Sequence, residues 1–372
     1  MLLTNIPAPY RILVWNHLFQ LTGGQLKVLF IAVSESRRSW VIPVEKMNFP
    51  WQFLSDSLNS NRIFVETKTG GAMLLHLMRF RPQAVVCGGY AHLAAWACFL
   101  WCKLFRRRFV LWCEENKHSY RKPSKMRRWL KWLIISHSDA VAPSGKATVE
   151  YVKQYGARDE QIFVAPFGGD NDSFARNALK VDAAQEKALH GYPPRLILFS
   201  GRLVRLKGVF ELLQAFRAIS SELPDVGLLI VGHGPAQKAM EEFCQREGLK
   251  RVYFLGPQPY ERMPYFNALA DLLVLPTFSD QWGFVVNEAF ACGIPAILSR
   301  VAGACDDLIL EGETGFSVEP GNVDDLKAKI LLVLNDQSLR ERMSRNCREL
   351  IKEYSAEACA QGLLAAALGA RI

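Results

Sequence analysis

Paired cysteines, a bilayer-length apolar run and a leader-peptide pattern are all missing from this 372-residue chain. Its nine cysteines, an odd number, lie scattered, mostly inside apolar stretches, and form no C-x-x-C pairs. That spacing argues against a zinc site and a disulfide framework and points to reduced, core-filling thiols. The longest apolar run of interest, AHLAAWACFLWCKLF (91–105), falls about one turn short of a membrane span and carries His92 and Lys103. No N-terminal segment has the basic–apolar–small layout of a signal peptide. The expected location is the cytoplasm, including the inner face of the cell membrane as a peripheral protein. Low-complexity, collagenous and coiled-coil patterns are absent too, which leaves an ordinary globular chain, long enough for two domains.

Charge is what the sequence has in excess, and it is lopsided. The net charge is +9. Through residue 175 there are 23 basic and 12 acidic side chains; beyond it there are 22 and 24. The densest basic part is RRRFVLWCEENKHSYRKPSKMRRWLKWL (106–133), where Trp and Leu are interleaved with Arg and Lys. Such a stretch reads as a solvated helix face, or as a patch for anionic lipid headgroups or a phosphate-bearing acceptor. Nucleic acid is not expected as a partner, because no DNA- or RNA-binding motif accompanies the charge.

Short apolar strands alternate with helical stretches along the whole chain. In the first half, LLTN (2–5), LKVLFIAV (26–33), RPQAVVCGGY (81–90), FVLWCEE (109–115), SDAVAPSG (138–145) and QIFVAPFGG (161–169) read as strands, and residues 10–21 and those from Ala91 read as helices. The composition turns polar and alanine-rich over 175–194, as in a linker or the first helix of a new domain. The pattern then restarts with a strand into a glycine turn at 195–201, strand and turn at 226–235, and strands at 251–256, 271–276 and 294–299. This predicts an α/β chain with two Rossmann-like, doubly wound parallel sheets: residues 1–175, residues 176–355, and a C-terminal helix over 356–372 whose alanine- and leucine-rich face packs back on the first domain. Ligands of open α/β sheets bind at the C-terminal ends of the strands, so a cleft site shared by the two domains is expected.

Two segments carry the chemistry. In GRLVRLKG (201–208), a strand runs into Gly201, then Arg202 and Lys207, then a helix after Gly208. Glycine lets backbone N–H groups approach a phosphate, the helix start adds partial positive charge, and a guanidinium with an ammonium suits a diphosphate. In SDQWGFVVNEAFACGIP (279–295), Asp280 stands ahead of a helix start near Phe284, Gly283 permits a tight turn, and Glu288 sits on an otherwise apolar helix. Carboxylates repel phosphate but accept hydrogen bonds from hydroxyls. A sugar on one side of a diphosphate and a ribose on the other would supply them. The plainer alternatives are exposed basic residues in the first segment, a half-buried Glu288 paired with a neighbouring base, and an ordinary helix-start role for Asp280.

With these residues in view, the chain resembles the family-4 retaining glycosyltransferases of the GT-B fold. GRLVRLKG fits the family's G-R-x4-K-G loop, VGHGP (231–235) its V-G-x-G-P turn with His233 where Asp is commoner, residues 280–288 its E-x7-E block, and EGETGF (311–316) its E-G-x-x-G turn. The first acid of the E-x7-E block is Asp280, one methylene shorter, which bears on which donor sugar is taken. The resemblance implies that Arg202 and Lys207 hold the donor diphosphate, Glu288 the ribose and Asp280 the donor sugar. Gly201 and the backbone around Trp282, Gly283 and Phe284 would line sugar and phosphate, and the loop at Gly256 and Gln258 would lie beside the nucleobase. The first domain would bind the acceptor through segments that include Tyr10, Gly88 and Gly89, with Glu114 either contacting the reacting sugars or serving as a structural acid.

The implied reaction moves a sugar from a nucleotide-diphosphate sugar to a glycan or lipid-linked hydroxyl, with no cofactor beyond that co-substrate. A metal is not required in principle, since fixed positive groups can stabilise the departing diphosphate. The basic first domain suggests a membrane-linked lipid or a growing surface polysaccharide as acceptor, met at an anionic membrane surface. A sugar-nucleotide epimerase and a non-catalytic scaffold on the same fold are the alternatives. A dinucleotide-dependent oxidoreductase is disfavoured because VGHGPAQ lacks the third glycine of G-x-G-x-x-G.

Overall fold

The apolar runs become parallel strands because both faces of each are covered. Val226–Val231 is buried at all six positions and Leu272–Leu275 at all four, the continuous burial that distinguishes parallel from two-faced antiparallel strands. A computed structural model describes residues 1–33, 42–55, 62–118 and 123–370; residues 119–122 of the basic stretch and the chain's last two residues lie outside the described residues. The chain divides into two units, Met1–Lys117 with Arg121–Gly169 and Tyr354–Ile372, and His118–Tyr120 with Asp170–Glu353.

The first unit contains β1 (Leu2–Thr4), α1 (Pro9–Leu21), β2 (Val28–Phe30), β3 (Trp51–Phe53), α2 (Arg62–Phe80), β4 (Ala84–Gly88), α3 (Leu93–Leu104), β5 (Arg108–Cys113), α4 (Lys125–Ser136), β6 (Ala140–Pro143) and α5 (Lys146–Gln154). Its sheet has the order β3-β2-β1-β4-β5-β6, all parallel. One face is covered by α2 to α5 over Leu3, Leu111 and Cys87. The other face buries Trp15 and Ile12 of α1 against Cys359, Ala360 and Leu363.

The second unit contains α6 (Asn171–Ala178), α7 (Ala183–Leu189), β7 (Arg195–Ser200), α8 (Val209–Glu222), β8 (Val226–Val231), α9 (Gln237–Arg246), β9 (Val252–Gly256), α10 (Met263–Leu269), β10 (Leu272–Leu275), α11 (Val285–Ala291), β11 (Ala296–Ser299), α12 (Cys305–Leu308), β12 (Gly315–Val318), α13 (Val323–Asn335) and α14 (Gln337–Leu350). Its sheet repeats the first one's winding, β12-β11-β10-β7-β8-β9. The chain then returns to the first unit as α15 (Ala356–Leu368). Ser355 caps that helix by accepting from the Ala358 N–H at 3.1 Å. Gly362 brings it close to the backbone of Val164, where a Cβ would sit 2.3 Å from the carbonyl oxygen.

The doubly wound α/β class read from the sequence is the one observed. One strand is corrected. Residues 161–169 form only isolated bridges, Val141 with Ile162 and Gly169 with Ser355. Phe163, Ala165 and Phe167 donate to the carbonyls of Val141, Pro143 and Ser144 at 3.0, 2.9 and 3.2 Å, but Pro143 of β6 has no N–H to donate back, so no ladder forms. The polar segment 175–194 holds the end of α6 and all of α7.

Candidate active site

In each sheet the strand order reverses between the first and fourth strands, the switch point at which ligands of doubly wound sheets bind. In the second unit that point lies between β7 and β10, paired through Leu272–Ile197 and Leu273–Leu198. The loop leaving β7 carries Arg202 and Lys207, and the loop leaving β10 carries Asp280 and leads into α11, which carries Glu288.

Backbone contacts hold the β7 loop in place. Gly201 donates to Val231 O at 3.0 Å, Leu203 to His233 O at 2.9 Å, and Gly232 to Gly256 O at 2.9 Å, so the loops after β7, β8 and β9 are stitched side by side. Gly208 has φ +68°, and a Cβ there would lie 1.9 Å from the carbonyl oxygen of Pro276; no other residue fits. Phe278 N–H and Thr277 Oγ1 donate to Leu206 O at 2.8 and 3.0 Å. The β7 loop is thus tied to the end of β10, and α8 starts at Gly208 with its first N–H groups beside Lys207.

That junction joins Lys207 to Asp280, whose Oδ2 accepts from Nζ in an ion pair. Both side chains are largely covered, at 14% and 19% exposure. Asp280 is fixed by its backbone too, accepting from Gly303 N–H at 3.2 Å. Gly283, at φ +97°, makes the turn into α11. The Trp282 side chain is buried, and its Nε1 donates to Asn287 Oδ1 at 2.7 Å, so this residue can offer a ligand only its backbone; Phe284 is half-buried.

Glu288 is 8% exposed on α11. Burial pushes its carboxyl up to about 8, and no base pairs with it among the described residues, so the reading of an acid paired with a neighbouring base does not hold. Arg202 is exposed and forms no ion pair among the described residues. The structure therefore brings Lys207 and Asp280 into contact, and sets Arg202 on the same loop as Lys207 and Glu288 on α11 beyond Asp280, without joining either to that couple or to each other. Gly256 has open space where a Cβ would be, whereas Gln258 is engaged locally, donating to Leu255 O at 2.7 Å.

In the first unit the switch point falls between β1 and β4. Tyr10, in the first turn of α1, follows β1; Gly88 and Gly89 end β4; Glu114 follows β5. Gly89 has φ +99° and open space around it. Glu114 is ion-paired to Arg11, whose guanidinium lies 4.3, 5.2 and 5.6 Å from the ring centroids of Trp112, Phe167 and Tyr10. Sequence reasoning missed the neighbouring cluster. Glu115 Oε2 accepts from Lys131 Nζ at 2.8 Å and from the hydroxyls of Tyr90 and Tyr151. Burial would raise the Glu115 carboxyl, but the hydrogen bonds from Lys131, Tyr151 and Tyr90 together hold it below its ordinary range. The sign available in the sequence was the pair of acids closing β5, of which only the first was singled out.

Residues 181–350 match the family model described as glycosyl transferases group 1. A glycosyltransferase of Methanocaldococcus jannaschii is 32% identical over 45% of this chain and 46% of its own length. The capsular polysaccharide biosynthesis glycosyltransferase CapM of Staphylococcus aureus is 29% identical over 60% of this chain and 59% of its own length. The chain thus spans about half of the curated relatives it matches, 46% and 59%. Among solved structures, Anabaena HepE in complex with UDP superposes with a TM-score of 0.79 at 18% identity, covering 98% of both chains. A glycosyltransferase from Rickettsia africae gives 0.77 at 16% identity over 98% of this chain and 96% of its own. The fold is that of these GT-B glycosyltransferase structures.

Proposed function

We propose that the chain transfers a sugar from a nucleotide-diphosphate sugar to a hydroxyl acceptor, keeping the anomeric configuration. The observation that carries this reading is the Lys207–Asp280 couple at the switch point of the second sheet. It sets a cation and a hydroxyl acceptor side by side, the two groups needed where a sugar meets its phosphate. Arg202, Lys207 and the N-terminal amides of α8 take the diphosphate. Asp280 takes donor-sugar hydroxyls, and Glu288 takes the ribose. The backbone at Gly201 and from Trp282 to Phe284 lines the junction, and Gly256 and Gln258 flank the base.

In the reaction the bond between the anomeric carbon and the phosphate oxygen breaks as the acceptor oxygen bonds to the same face of that carbon. The acceptor proton passes to the departing phosphate oxygen. Negative charge grows on the diphosphate, where the fixed cations meet it without reorganising. The acceptor is held by the first unit near Tyr10, Gly88, Gly89 and Glu114. CapM is named for capsular polysaccharide biosynthesis, which supports a lipid-linked or surface-polysaccharide precursor as acceptor. HepE was solved with UDP and with UDP-glucose, so uridine donors come first in the test.

That test is a thermal-shift panel of nucleotide sugars. A true donor at a hundred times its dissociation constant adds roughly 2.7 kcal/mol to stability, and at the same donor concentration that gain falls by about half or more in Lys207→Ala. Product analysis with and without acceptor then separates transfer from epimerisation. If no nucleotide sugar raises the unfolding temperature, the reading fails.

A further inference from the structure

The helical layer of the first unit formed by α2, α3 and α4 is strongly basic, and Lys103 of α3 is ion-paired to Asp139. From Thr67 to Ser138 the sequence holds fourteen lysines and arginines and two acids, Glu114 and Glu115. Both acids are engaged, one by Arg11 and the other by Lys131, Tyr90 and Tyr151. Arg106, Arg107, Arg127 and Arg128 are exposed and form no ion pair among the described residues. An ordinary solvated face interleaves both signs, as the second unit does where Lys327 meets Glu222.

The same layer turns large apolar side chains outward. Leu75 and Met78 of α2 are 66% and 53% exposed, Leu100 and Leu104 of α3 are 63% and 76%, and Met126 and Trp129 of α4 are 71% and 55%. The α3 pair is one turn apart, so both point from one side of the helix. A Cβ on Gly70 would lie 3.6 Å from Leu93 Cβ. As crossover helices of one parallel sheet, α2 and α3 run the same way and pack against each other. An apolar strip flanked by unpaired arginines, with no free acid among the described side chains of these helices, matches the interfacial zone of a bilayer in both its layers. Nucleic acid would use the cations and leave the leucines stranded in water.

We infer that the α2–α3–α4 face docks the chain on an anionic phospholipid bilayer, with Leu75, Met78, Leu100, Leu104 and Trp129 entering the headgroup boundary and the arginines meeting lipid phosphates. This goes beyond the transfer reading and stands without it, since no residue of the face belongs to the proposed donor site.

Co-sedimentation of the full chain with phosphatidylcholine vesicles, with or without roughly 30% phosphatidylglycerol, tests the inference. Binding should require the anionic lipid and should weaken at least tenfold between about 0.1 M and 0.5 M salt. The double variant Leu100→Asp/Leu104→Asp should lose at least tenfold in vesicle affinity. Arg106→Ser/Arg107→Ser should lose a similar amount and a large part of the salt dependence. Unchanged urea midpoints show that both variants fold, as expected for exposed positions. Equal binding to neutral vesicles, or variants that sediment like the parent, would overturn the inference. So would a parent that dimerises through this face, turns monomeric in the leucine variant and ignores vesicles.

Discussion

Glu288→Gln separates the electrostatic cost of the buried acid from its service to a ligand. Burial holds the folded carboxyl at about 8, against an ordinary 4.5. A raised acid means that the folded state keeps a proton the unfolded chain has released. Stability from this group is therefore full below pH 4.5 and is lost as pH rises from there to about 8, falling by about 1.4 kcal/mol per pH unit and then levelling off. Glutamine never ionises and is nearly the same size. The stability difference, variant minus parent, should thus grow by about 3 kcal/mol between roughly pH 5.5 and 7.5. Urea unfolding followed by tryptophan fluorescence reads it, since Trp282 is buried in the same unit, and other titrations cancel in the difference. Parallel stability–pH curves for parent and variant would refute the reasoning. A ribose that donates hydroxyl hydrogen bonds favours the ionised form, so donor affinity of the parent should rise toward pH 8 while that of the variant stays flat.

Other perturbations test the remaining parts. Lys207→Ala and Glu288→Ala should each lower turnover by orders of magnitude with the circular dichroism spectrum intact; a Glu288→Ala protein that transfers sugar like the parent would show the site to be misassigned. Gly208→Ala forces a Cβ to within 1.9 Å of Pro276 O at a left-handed φ of +68°, and should cost about 2–4 kcal/mol in urea unfolding of the second unit. Tyr151→Phe removes one of three donors to Glu115 and should cost the first unit about 1–3 kcal/mol, read by its thermal unfolding.

Much of this architecture was legible because parallel strands announce themselves. Runs such as RLILFS and VGLLIV are buried on both faces, so they are apolar without a break and end in glycine turns. The short strands β3 and β12 escaped notice, being three and four residues long and lacking that continuous signature; β12 hides in the turn of EGETGF. Residues 161–169 looked like a strand because their composition does not register the donor that Pro143, in the neighbouring strand, lacks. The site was half legible. Its loops could be named from glycine and charge, but the Lys207–Asp280 contact spans 73 residues and exists only because β7 and β10 are neighbours in the sheet. Tyr90, Glu115, Lys131 and Tyr151 come together in the same way, from β4, β5 and two helices. For Glu288, the sequence could pose an acid on an apolar helix; its lack of a basic partner needed the packing of α11.

Isothermal titration of the donor found in the thermal-shift panel, repeated with its nucleoside diphosphate, tests the central claim most directly. If the loop between β7 and α8 holds the diphosphate, Arg202→Ala and Lys207→Ala should each weaken both ligands by roughly ten- to hundredfold, the loss of one charge-assisted contact of about 1.5–3 kcal/mol. Parent-like affinity for both ligands in both variants would mean that the diphosphate sits elsewhere, and the account of this site would be wrong.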